Sequence, residues 1–196
     1  MVPDDAHFQA AGFVVGGEPL GVDLADTLIT VSDPPTDLLT GTEAVATWWA
    51  LESGRLPPSA GAASAQATID LRGALRTLLD AAVAGDPLPG PALAAVNAAV
   101  AAAPTSASLG PDGSVVKLWH GEDAGAVALA AVAESVVRLL GSPEPSRLRR
   151  CANPACSMLF VATDPRRQFC TQNVCGNRVR VARHYRRHRG EAGRSY

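Results

Sequence analysis

The sequence predicts a mainly α-helical α+β fold, in which a helical N-terminal domain with a small β-hairpin precedes a cysteine-containing module. Three observations lead to this prediction. Apolar residues recur every three or four positions in several long segments, which is the period of an amphipathic helix. Two short runs of strand-forming residues flank a turn near residue 110. All four cysteines of the 196-residue chain lie between residues 151 and 175, so the C-terminal module is expected to fold differently from the body.

The N-terminal segment is predicted to begin irregularly and then to become helical. Residues 1–11 are predicted to be disordered and residues 12–15 to form a short strand before a Gly-Gly turn. Pro19 suits the first turn of a helix, because its missing N–H would have no partner there. The apolar residues expected on one face of that helix are Leu20, Leu24, Leu28 and Val31.

A second helix is predicted from a capping box. Thr40 and Glu43 have the spacing at which the two side chains bond each other's backbone N–H groups, and the helix is expected to run through Ser53. Trp48 and Trp49 lie on it. Adjacent helical positions point about 100° apart, so we expect one tryptophan in the core and the other at an edge, a domain contact or a pocket wall.

The rest of the body is predicted to contain three helices and one hairpin. Leucines at helical spacing predict a long helix over residues 64–84, and two prolines delimit another over 91–104. Residues 105–109 and 114–119 flank Gly-Pro-Asp-Gly and predict a β-hairpin. Residues 122–140 then form an amphipathic helix that completes the body.

The four cysteines form two C-x4-C pairs, Cys151 with Cys156 and Cys170 with Cys175, separated by thirteen residues. This spacing is typical of a metal site built from two turns. Zn²⁺ is the expected metal because it accepts sulfur ligands and four-coordination, and four thiolates close a tetrahedral site. The alternative is four buried thiols or two disulfides, which the duplicated spacing disfavours.

Local patterns around the cysteines predict a small finger. An Asn-Pro pair inside the first C-x4-C favours a turn. Residues 158–162 are predicted to form a strand, residues 166–169 a returning strand, and residues 176–189 a helix that follows the second pair directly. This order resembles a treble-clef or zinc-ribbon finger.

On a helical wheel, the last helix has two different faces. The face expected to pack on the finger contains Val181, Ala182, Tyr185 and His188. The other face is a stripe formed by Arg180, Arg183, Arg186 and Arg187. No acidic residue lies between Asp164 and Glu191, whereas a merely solvated helix usually mixes signs. The stripe therefore favours a function over a solvated charged face, although both interpretations remain open.

Charge divides the chain into two parts. Residues 147–196 carry twelve arginines against two acidic residues, a net charge of +10, whereas residues 1–146 carry seventeen acidic and five basic residues, a net charge of −12. A basic module beside an acidic body indicates a polyanionic partner. Neutralisation of one part by the other within the molecule is the alternative.

Residues Cys175-Gly176-Asn177-Arg178, together with Arg149-Arg150-Cys151 upstream, resemble the CGNR zinc finger family over roughly the last fifty residues. The resemblance implies a bacterial transcription regulator whose finger binds zinc and double-stranded DNA. Two departures are a short loop over residues 163–168 and Phe169, where the family tends to have Trp. The candidate nucleic-acid-binding residues are Arg149, Arg150, Asn177, Arg178, Arg180, Arg183, Arg186 and Arg187.

The segment Gly16 to Leu28, GGEPLGVDLADTL, resembles the opening of the ABATE domain, which usually precedes a CGNR finger and is predicted to be stress-responsive. Asp26 stands where this family would have Asn. With this resemblance, the expected organisation is a disordered N-terminus (1–11), an ABATE-like domain (12–141), a linker (142–146), the finger (147–190) and a tail (191–196).

The function expected from the sequence is a zinc-dependent, DNA-binding regulator with a sensing or dimerising body. No catalytic motif occurs in the chain, so an enzyme is not expected. Without a signal-peptide pattern or a long apolar run, the chain is expected in the cytoplasm. The alternatives are a zinc-stapled protein-interaction module and an RNA-binding protein, for which Phe169 and Tyr185 are the candidate stacking residues. A small-molecule effector and a homodimer both remain open.

Overall fold

The computed structural model describes residues 8–142 and 147–192, without the side chains of residues 8–10, 183 and 186–192. Within these residues the helices are α1 (Leu20–Ala25), α2 (Thr42–Glu52), α3 (Ala65–Ala84), α4 (Gly90–Ala101), α5 (Ala124–Leu140) and α6 (Asn177–Ala192). The strands are β1 (Phe8–Ala10), β2 (Phe13–Val15), β3 (Leu28–Ile29), β4 (Thr36–Asp37), β5 (Thr105–Leu109), β6 (Val115–Trp119), β7 (Leu148–Arg150) and β8 (Leu159–Val161). Consecutive strands pair antiparallel into two-stranded sheets. The mainly helical α+β prediction is confirmed.

Helix α1 lies at the centre of the body. All of its residues are buried, and it packs against α3 and α5, while α4 covers the same two helices. Gly21 permits the close approach of α1 to α5, because a Cβ at this position would overlap Val136. The Gly21 N–H also donates a 2.8 Å hydrogen bond to the Ser135 hydroxyl of α5. These contacts bury the whole of α1 in the apolar core.

Both tryptophans of α2 are buried, so the expectation that one of them lies at an edge is wrong. Trp48 is 0% exposed and Trp49 is 2% exposed. Their rings meet edge to face, with centroids 4.9 Å apart. The Trp49 indole donates a 3.0 Å hydrogen bond to the Thr68 hydroxyl of α3. Because α2 is covered by both α3 and β2, adjacent positions on it face different parts of one core.

The first helix is shorter than predicted. It ends at Ala25, and Leu28 lies in strand β3, paired with β4. The Thr27 hydroxyl donates a 2.7 Å hydrogen bond to the Leu24 carbonyl, which closes the helix at this point. Asp26 beside this end is buried, and the chain continues into strand β3 instead of a further helical turn.

The N-terminal segment and the start of α2 also differ from the predictions. Part of the segment predicted to be disordered forms β1, which pairs with β2. The capping box does not form, because α2 begins at Thr42 with Gly41 as its N-cap and no side-chain cap. Thr40 therefore lies outside the cap position.

The later elements follow the predictions closely. Helix α3 begins after Ser64, whose side chain accepts from the Ala67 N–H, and ends at Gly85, which has a left-handed φ of 76°. The hairpin of β5 and β6 and the helices α4 and α5 lie where the turn residues predict them. In the described ranges 8–142 and 147–192, no helix is long and apolar enough to span a lipid bilayer. Residues 1–7, most of the predicted linker (143–146) and the end of the tail (193–196) lie outside the description.

Candidate metal centre and its attachment to the body

The first cysteine pair is placed by a short hairpin. Strands β7 and β8 pair, and the Cys151 N–H donates to the Met158 carbonyl at 2.9 Å. Between them the chain turns at Asn153, whose carbonyl accepts the Cys156 N–H at 2.9 Å and whose side chain accepts the Ala155 N–H at 3.1 Å. These hydrogen bonds bring the two sulfurs of the first pair together.

The prediction that strand β8 pairs with a returning strand over residues 166–169 is wrong. Residues 166–169 do not form a returning strand, and β8 pairs instead with β7, which precedes Cys151. Asp164 holds the segment after β8 in a turn, because its side chain accepts the Arg166 N–H at 2.8 Å and its carbonyl accepts the Arg167 N–H at 3.0 Å. A tight turn at this position leaves residues 166–169 without the extended backbone that a strand needs.

The second cysteine pair leads directly into the last helix. Residues Gln172–Gly176 form one turn of π-helix, in which the Gly176 N–H donates to the Thr171 carbonyl at 3.2 Å. Helix α6 follows at Asn177 without a break, as the sequence predicts. The metal-site residue Cys175 therefore lies at the base of α6.

The four sulfur atoms converge in a geometry that suits zinc. All four Sγ atoms lie within 4.8 Å of one another, with Cys156 3.8 Å from Cys170 and Cys170 3.6 Å from Cys175. A tetrahedral site with Zn–S bonds of about 2.3 Å has sulfur–sulfur edges of about 3.8 Å. A disulfide would need about 2.05 Å, and all four cysteines are free thiols. The cluster thus fits one Zn²⁺ ion bound by four thiolates.

Electrostatics supports the same conclusion. Hydrogen bonds from the thiols of Cys156 and Cys170 lower the pKa of Cys151 to about 2. Hydrogen bonding to Cys151 in turn raises the pKa of Cys156 to about 12 and moves the pKa of Cys170 upward. Four sulfurs this close cannot all be thiolates unless a cation compensates their charge. A divalent metal would supply that compensation.

The centre is enclosed on its inner side. Cys151, Cys170 and Cys175 are each 5% exposed and pack with the fully buried Phe160. The guanidinium of Arg167 lies over the Phe160 ring, 4.6 Å from its centroid. Four sulfur ligands with this enclosure are typical of a structural zinc site, which has no coordination position for water.

The finger is attached to the body through the free edge of strand β8. Both carboxylate oxygens of Asp26 accept the Leu159 N–H, at 2.9 and 3.1 Å. Two residues along the strand, the Val161 N–H donates to Glu18 at 2.7 Å. Alternate N–H groups of a strand point to the same edge. Glu18 and Asp26, on either side of α1, therefore accept the hydrogen bonds that a third strand would accept at this edge.

Arginines of α3 and of the finger complete this attachment. Arg76 is buried and donates to Asp26 at 3.4 Å and to the Ser157 carbonyl of the finger at 3.3 Å. Asp80 accepts from Arg76 at 2.9 Å and from Arg150 of the finger at 2.6 Å. The apolar core is continuous as well, since the finger residues that belong to the body core are Leu148 and Leu159.

Burial perturbs the acids at this junction. It raises the pKa of Asp26 well above its usual value, and the charge of Arg76 and the Leu159 N–H only partly offset that effect. Burial likewise raises the pKa of Glu18 to about 7 and that of Asp23 to about 8. Arg55 opposes the shift at Asp23 through a 2.6 Å hydrogen bond.

The attachment of the finger through these acids was not predicted from the sequence. A usable signal was present, because acidic residues at positions 18, 23 and 26 interrupt an otherwise apolar segment. Charged residues within an apolar run are buried only when they have partners. That rule predicts buried acids here, but the partners of Glu18 and Asp26 in β8 lie more than 130 residues away.

The structure places the candidate nucleic-acid residues in two groups. Arg149 donates to the backbone carbonyls of Pro165 and Arg167, at 2.7 and 3.0 Å, and Arg150 pairs with Asp80 of the body. The residues at the start of α6 are exposed, namely Asn177, Arg178 and Arg180. Of the remaining candidates, the structure describes the helical backbone but no side chain for Arg183, Arg186 and Arg187.

Helix α6 does not pack its apolar face on the finger, so that prediction is wrong. Val181 is 53% exposed and Tyr185 is 68% exposed, and Ala182 is exposed as well. In the first nine residues of α6, Val179 is the one described side chain that is half-buried. The finger core is already filled by Phe160 and the cysteines, so α6 leaves the finger after its first turn.

Comparisons with known proteins agree with this architecture. Residues 18–143 match the ABATE family, described as "Putative stress-induced transcription regulator". Residues 147–188 match the CGNR zinc finger. A search of curated proteins found no match. The two matched ranges meet at the junction between the helical body and the four-cysteine centre, and the chain belongs to the ABATE family, with a CGNR zinc finger over residues 147–188.

Proposed function

We propose that this chain is a transcription regulator whose zinc finger binds double-stranded DNA through helix α6. The observation that supports it most strongly is the exposure of α6 beside the four-cysteine centre. The helix contains Arg178, Arg180, Arg183, Arg186, Arg187 and Arg189, and its first acidic residue is Glu191. A helix of sixteen residues is about 24 Å long, enough to follow a groove across several phosphates.

The contacts at the junction argue against neutralisation of α6 by the acidic body. Of the acids of the body that reach the finger, Asp80 pairs with Arg150 and Glu18 with Arg167, whereas Asp26 accepts the Leu159 N–H. Among the described side chains, no ion pair joins Arg178 or Arg180 to the body. The charges of Arg178 and Arg180 are therefore directed to solvent, where an external polyanion can reach them. DNA phosphates provide such a partner, and arginine can donate two parallel hydrogen bonds to them.

In this proposal each part of the finger has a distinct task. The metal holds the two cysteine turns together and sets the base of α6 at Cys175. Asn177 accepts a 2.6 Å hydrogen bond from Arg180, which orients that guanidinium at the start of the helix. Arg149 and Arg150 contribute to the structure of the finger and to its attachment, rather than to the main phosphate contacts.

The helical body supplies sensing or dimerisation in this proposal. Its acidic residues at positions 18 and 26 hold strand β8 directly, so a change in the body can be transmitted to the finger. The chain is proposed to have no catalytic role, because a metal bound by four thiolates lacks a position for substrate or water.

The test is a fluorescence-anisotropy titration of the zinc-loaded chain with a labelled 20-base-pair duplex at several salt concentrations. We expect affinity to fall steeply with salt, since each neutralised phosphate contributes about −0.9 to the log–log slope. Exchanging Arg183 and Arg187 for Ala should reduce that slope by roughly two. Arg138→Ala is the matched control, because Arg138 is an exposed arginine of the body paired with Glu134.

Three results would contradict the proposal. Duplex affinity that does not change with salt would indicate a protein-interaction module. Tighter binding to single-stranded RNA than to the duplex would favour RNA as the partner. Equal salt slopes for the parent and the double variant would show that the arginine stripe is only a solvated surface.

A further inference from the structure

The hairpin of β5 and β6 has one end packed on the body and one end exposed. At its base, Trp119 packs against apolar residues of α5, and Lys117 pairs with Glu134 of the same helix. Alternate residues of a strand point to the same face, so Val115 shares this face of β6. Val115 and its cross-strand partner Leu109 are nevertheless 77% exposed each. Large apolar side chains at the exposed end of a hairpin indicate a surface that an assembly covers.

The outer edge of β5 has backbone groups that the hairpin does not use. The Gly110 N–H donates to the Ser114 carbonyl at 2.8 Å, and the His120 N–H donates to the Pro104 carbonyl at 2.9 Å. Hydrogen-bonded pairs alternate with non-bonded pairs along an antiparallel ladder, so the even-numbered residues of β5 bond to β6. The odd-numbered residues, whose N–H and C=O groups point away from β6, are Thr105, Ala107 and Leu109. In the described part of the chain, no third strand pairs with this edge.

Charge makes this edge suitable for a second copy of the chain. A charged residue in an edge strand blocks pairing with another chain, and β6 has Lys117 at its centre whereas β5 has no charged residue. Residues 105–119 contain one acidic and one basic residue, so the hairpin has a net charge of zero. Residues 1–146 as a whole have a net charge of −12. Two such bodies therefore repel each other least where their hairpins meet.

We propose that two copies of the chain dimerise by antiparallel pairing of their β5 strands, which joins the two hairpins into one four-stranded sheet. A two-fold axis at the centre of β5 pairs Ala107 with Ala107 of the second copy and Leu109 with Thr105 of the second copy. These pairs use the outward-pointing backbone groups, and the two residues of each pair exchange both of their hydrogen bonds. The inference rests on the proposed function, since it specifies the dimerisation that the proposal names as one role of the body.

This register also covers the exposed end of each hairpin. Thr105 is the cross-strand partner of Trp119, as Leu109 is of Val115, and paired residues lie on the same face of a sheet. One row across the joined sheet therefore contains Val115 and Leu109 of one copy, followed by Thr105 and Trp119 of the other. The apolar end of each hairpin comes to lie next to the base of the other hairpin, beside its Trp119. Leu109 and Val115 thus become buried in the dimer.

The test is sedimentation equilibrium of the zinc-loaded full chain, without DNA, over a wide range of protein concentration. We expect the average mass to rise with concentration from 20.2 kDa towards twice that value. An interface between two hairpins is small, so the dimer should dissociate on dilution. Ala107→Pro removes an outward N–H but no hydrogen bond of the hairpin itself, and it should stay monomeric. Leu109→Lys changes only an exposed side chain and should also prevent the dimer.

Val31→Lys is the control for the lysine variant, because Val31 is 46% exposed and lies outside the hairpin. This variant should dimerise like the parent. Circular dichroism checks that each variant is folded. If Ala107→Pro disturbs the hairpin, Leu109→Lys decides, since its backbone is unchanged.

Ala107→Cys tests the register directly. Residues in a hydrogen-bonded antiparallel pair have Cα atoms about 5.5 Å apart, which lies within the range of about 4.4–6.8 Å that a disulfide allows. Mild oxidation of the zinc-loaded protein should therefore link two Ala107→Cys chains. Thr105→Cys chains should not be linked, because the two-fold axis places the two copies of this residue at opposite ends of the strand pair. The parent, oxidised in parallel, should give no linked dimer.

Each outcome decides the inference. A mass of 20.2 kDa at every concentration rejects the dimer. A dimer that persists in Leu109→Lys, or a disulfide that forms with Thr105→Cys but not with Ala107→Cys, rejects this interface. These measurements use the protein alone, so their failure leaves DNA binding by α6 untouched. A stable dimer that binds no duplex would instead reject the proposed function and retain the interface.

Discussion

Asp26 and Leu159 are 133 residues apart in sequence, yet both carboxylate oxygens of Asp26 accept the Leu159 N–H, at 2.9 and 3.1 Å. The pair is buried at the junction of body and finger, beside Arg76. It joins the end of α1, in the centre of the helical body, to the strand that precedes the second cysteine pair. A regulator in which the body controls the finger would use this contact.

Asp26→Ala should destabilise the attachment of the finger. The substitution leaves the Leu159 N–H buried without an acceptor and removes one of the two carboxylates beside Arg76, which costs about 1–3 kcal/mol. Asp26→Asn retains one acceptor oxygen and should cost less. Urea denaturation of the zinc-loaded protein measures the difference, and hydrogen exchange at Leu159 reports the local effect.

Asp70→Ala serves as the control for this pair of variants, because Asp70 is an exposed acid on α3. The free energy of unfolding of the Asp70→Ala protein should remain close to that of the parent. An Asp26→Ala protein as stable as the parent, with unchanged exchange at Leu159, would show that this contact does not hold the finger.

Glu18 should make stability decrease with rising pH. Its pKa is raised from the usual value of 4.5 to about 7 in the folded protein, mainly by burial. The folded state thus retains this proton more strongly than the unfolded chain, so the contribution is greatest below pH 4.5 and is lost as the pH rises to about 7. Glu18→Gln retains an acceptor for the Val161 N–H but cannot ionise.

The measurement is the difference in unfolding free energy between parent and Glu18→Gln at pH 5 and pH 8. The parent should lose stability relative to the variant across this interval. Zinc affinity also changes with pH, because the ligands must be deprotonated, but this effect is common to both proteins and cancels in the difference. A difference that is constant from pH 5 to 8 would contradict the prediction.

One zinc ion per chain should bind to the four cysteines. Metal analysis of protein purified under reducing conditions gives the stoichiometry, and Cys170→Ser should lose the metal. Chelation should unfold the finger, because a site this small depends on its metal for folding. The circular dichroism of helices α1–α5 should largely remain.

His120→Ala is the control for the zinc experiment. Histidine is a common zinc ligand, but His120 lies in the body, where its ring is 2.6 Å from the Ser106 hydroxyl. The variant should retain one zinc per chain. Full zinc occupancy in Cys170→Ser would reject the four-cysteine site.

Arg150 should contribute to the attachment of the finger through Asp80. Its guanidinium lies 2.6 Å from the Asp80 carboxylate, and both side chains are well exposed at 40% and 37%. Exposed pairs of this kind are worth about 0.2–1 kcal/mol. A double-mutant cycle with Arg150→Ala and Asp80→Ala should give a coupling energy in that range. A coupling energy of zero would contradict this prediction. If Arg150→Ala also lowered the salt slope of DNA binding, Arg150 would belong to the DNA-binding surface.

Predictions from sequence were most accurate where the determining interactions are local. Helix α3 begins and ends at the residues that its cap signals indicate, Ser64 and Gly85. The hairpin of β5 and β6 follows its turn residues in the same way. Caps and turns act through hydrogen bonds over two to four residues, and a short window of sequence contains both partners.

Predictions failed where the partner of a residue lies far along the chain. Whether Trp49 reaches the core depends on α3 and β2, and whether Val181 is covered depends on how much room the finger core leaves. The pairing of β8 with β7 rather than with residues 166–169 was missed for a local reason, because the Asp164 turn follows β8 directly. Periodicity identifies an apolar face but does not name the surface that covers it.

The sequence by itself determined the zinc ligands, the basic character of the last helix and most of the helical body. Spacing, charge and turn chemistry are properties of short segments, so they can be evaluated before the chain folds. Only the tertiary structure decided that the acids beside α1 hold the edge of β8 and that α6 projects into solvent. The contact between a strand edge and a buried carboxylate depends on desolvation and hydrogen bonding between distant segments. Neither segment alone shows which partner the other provides.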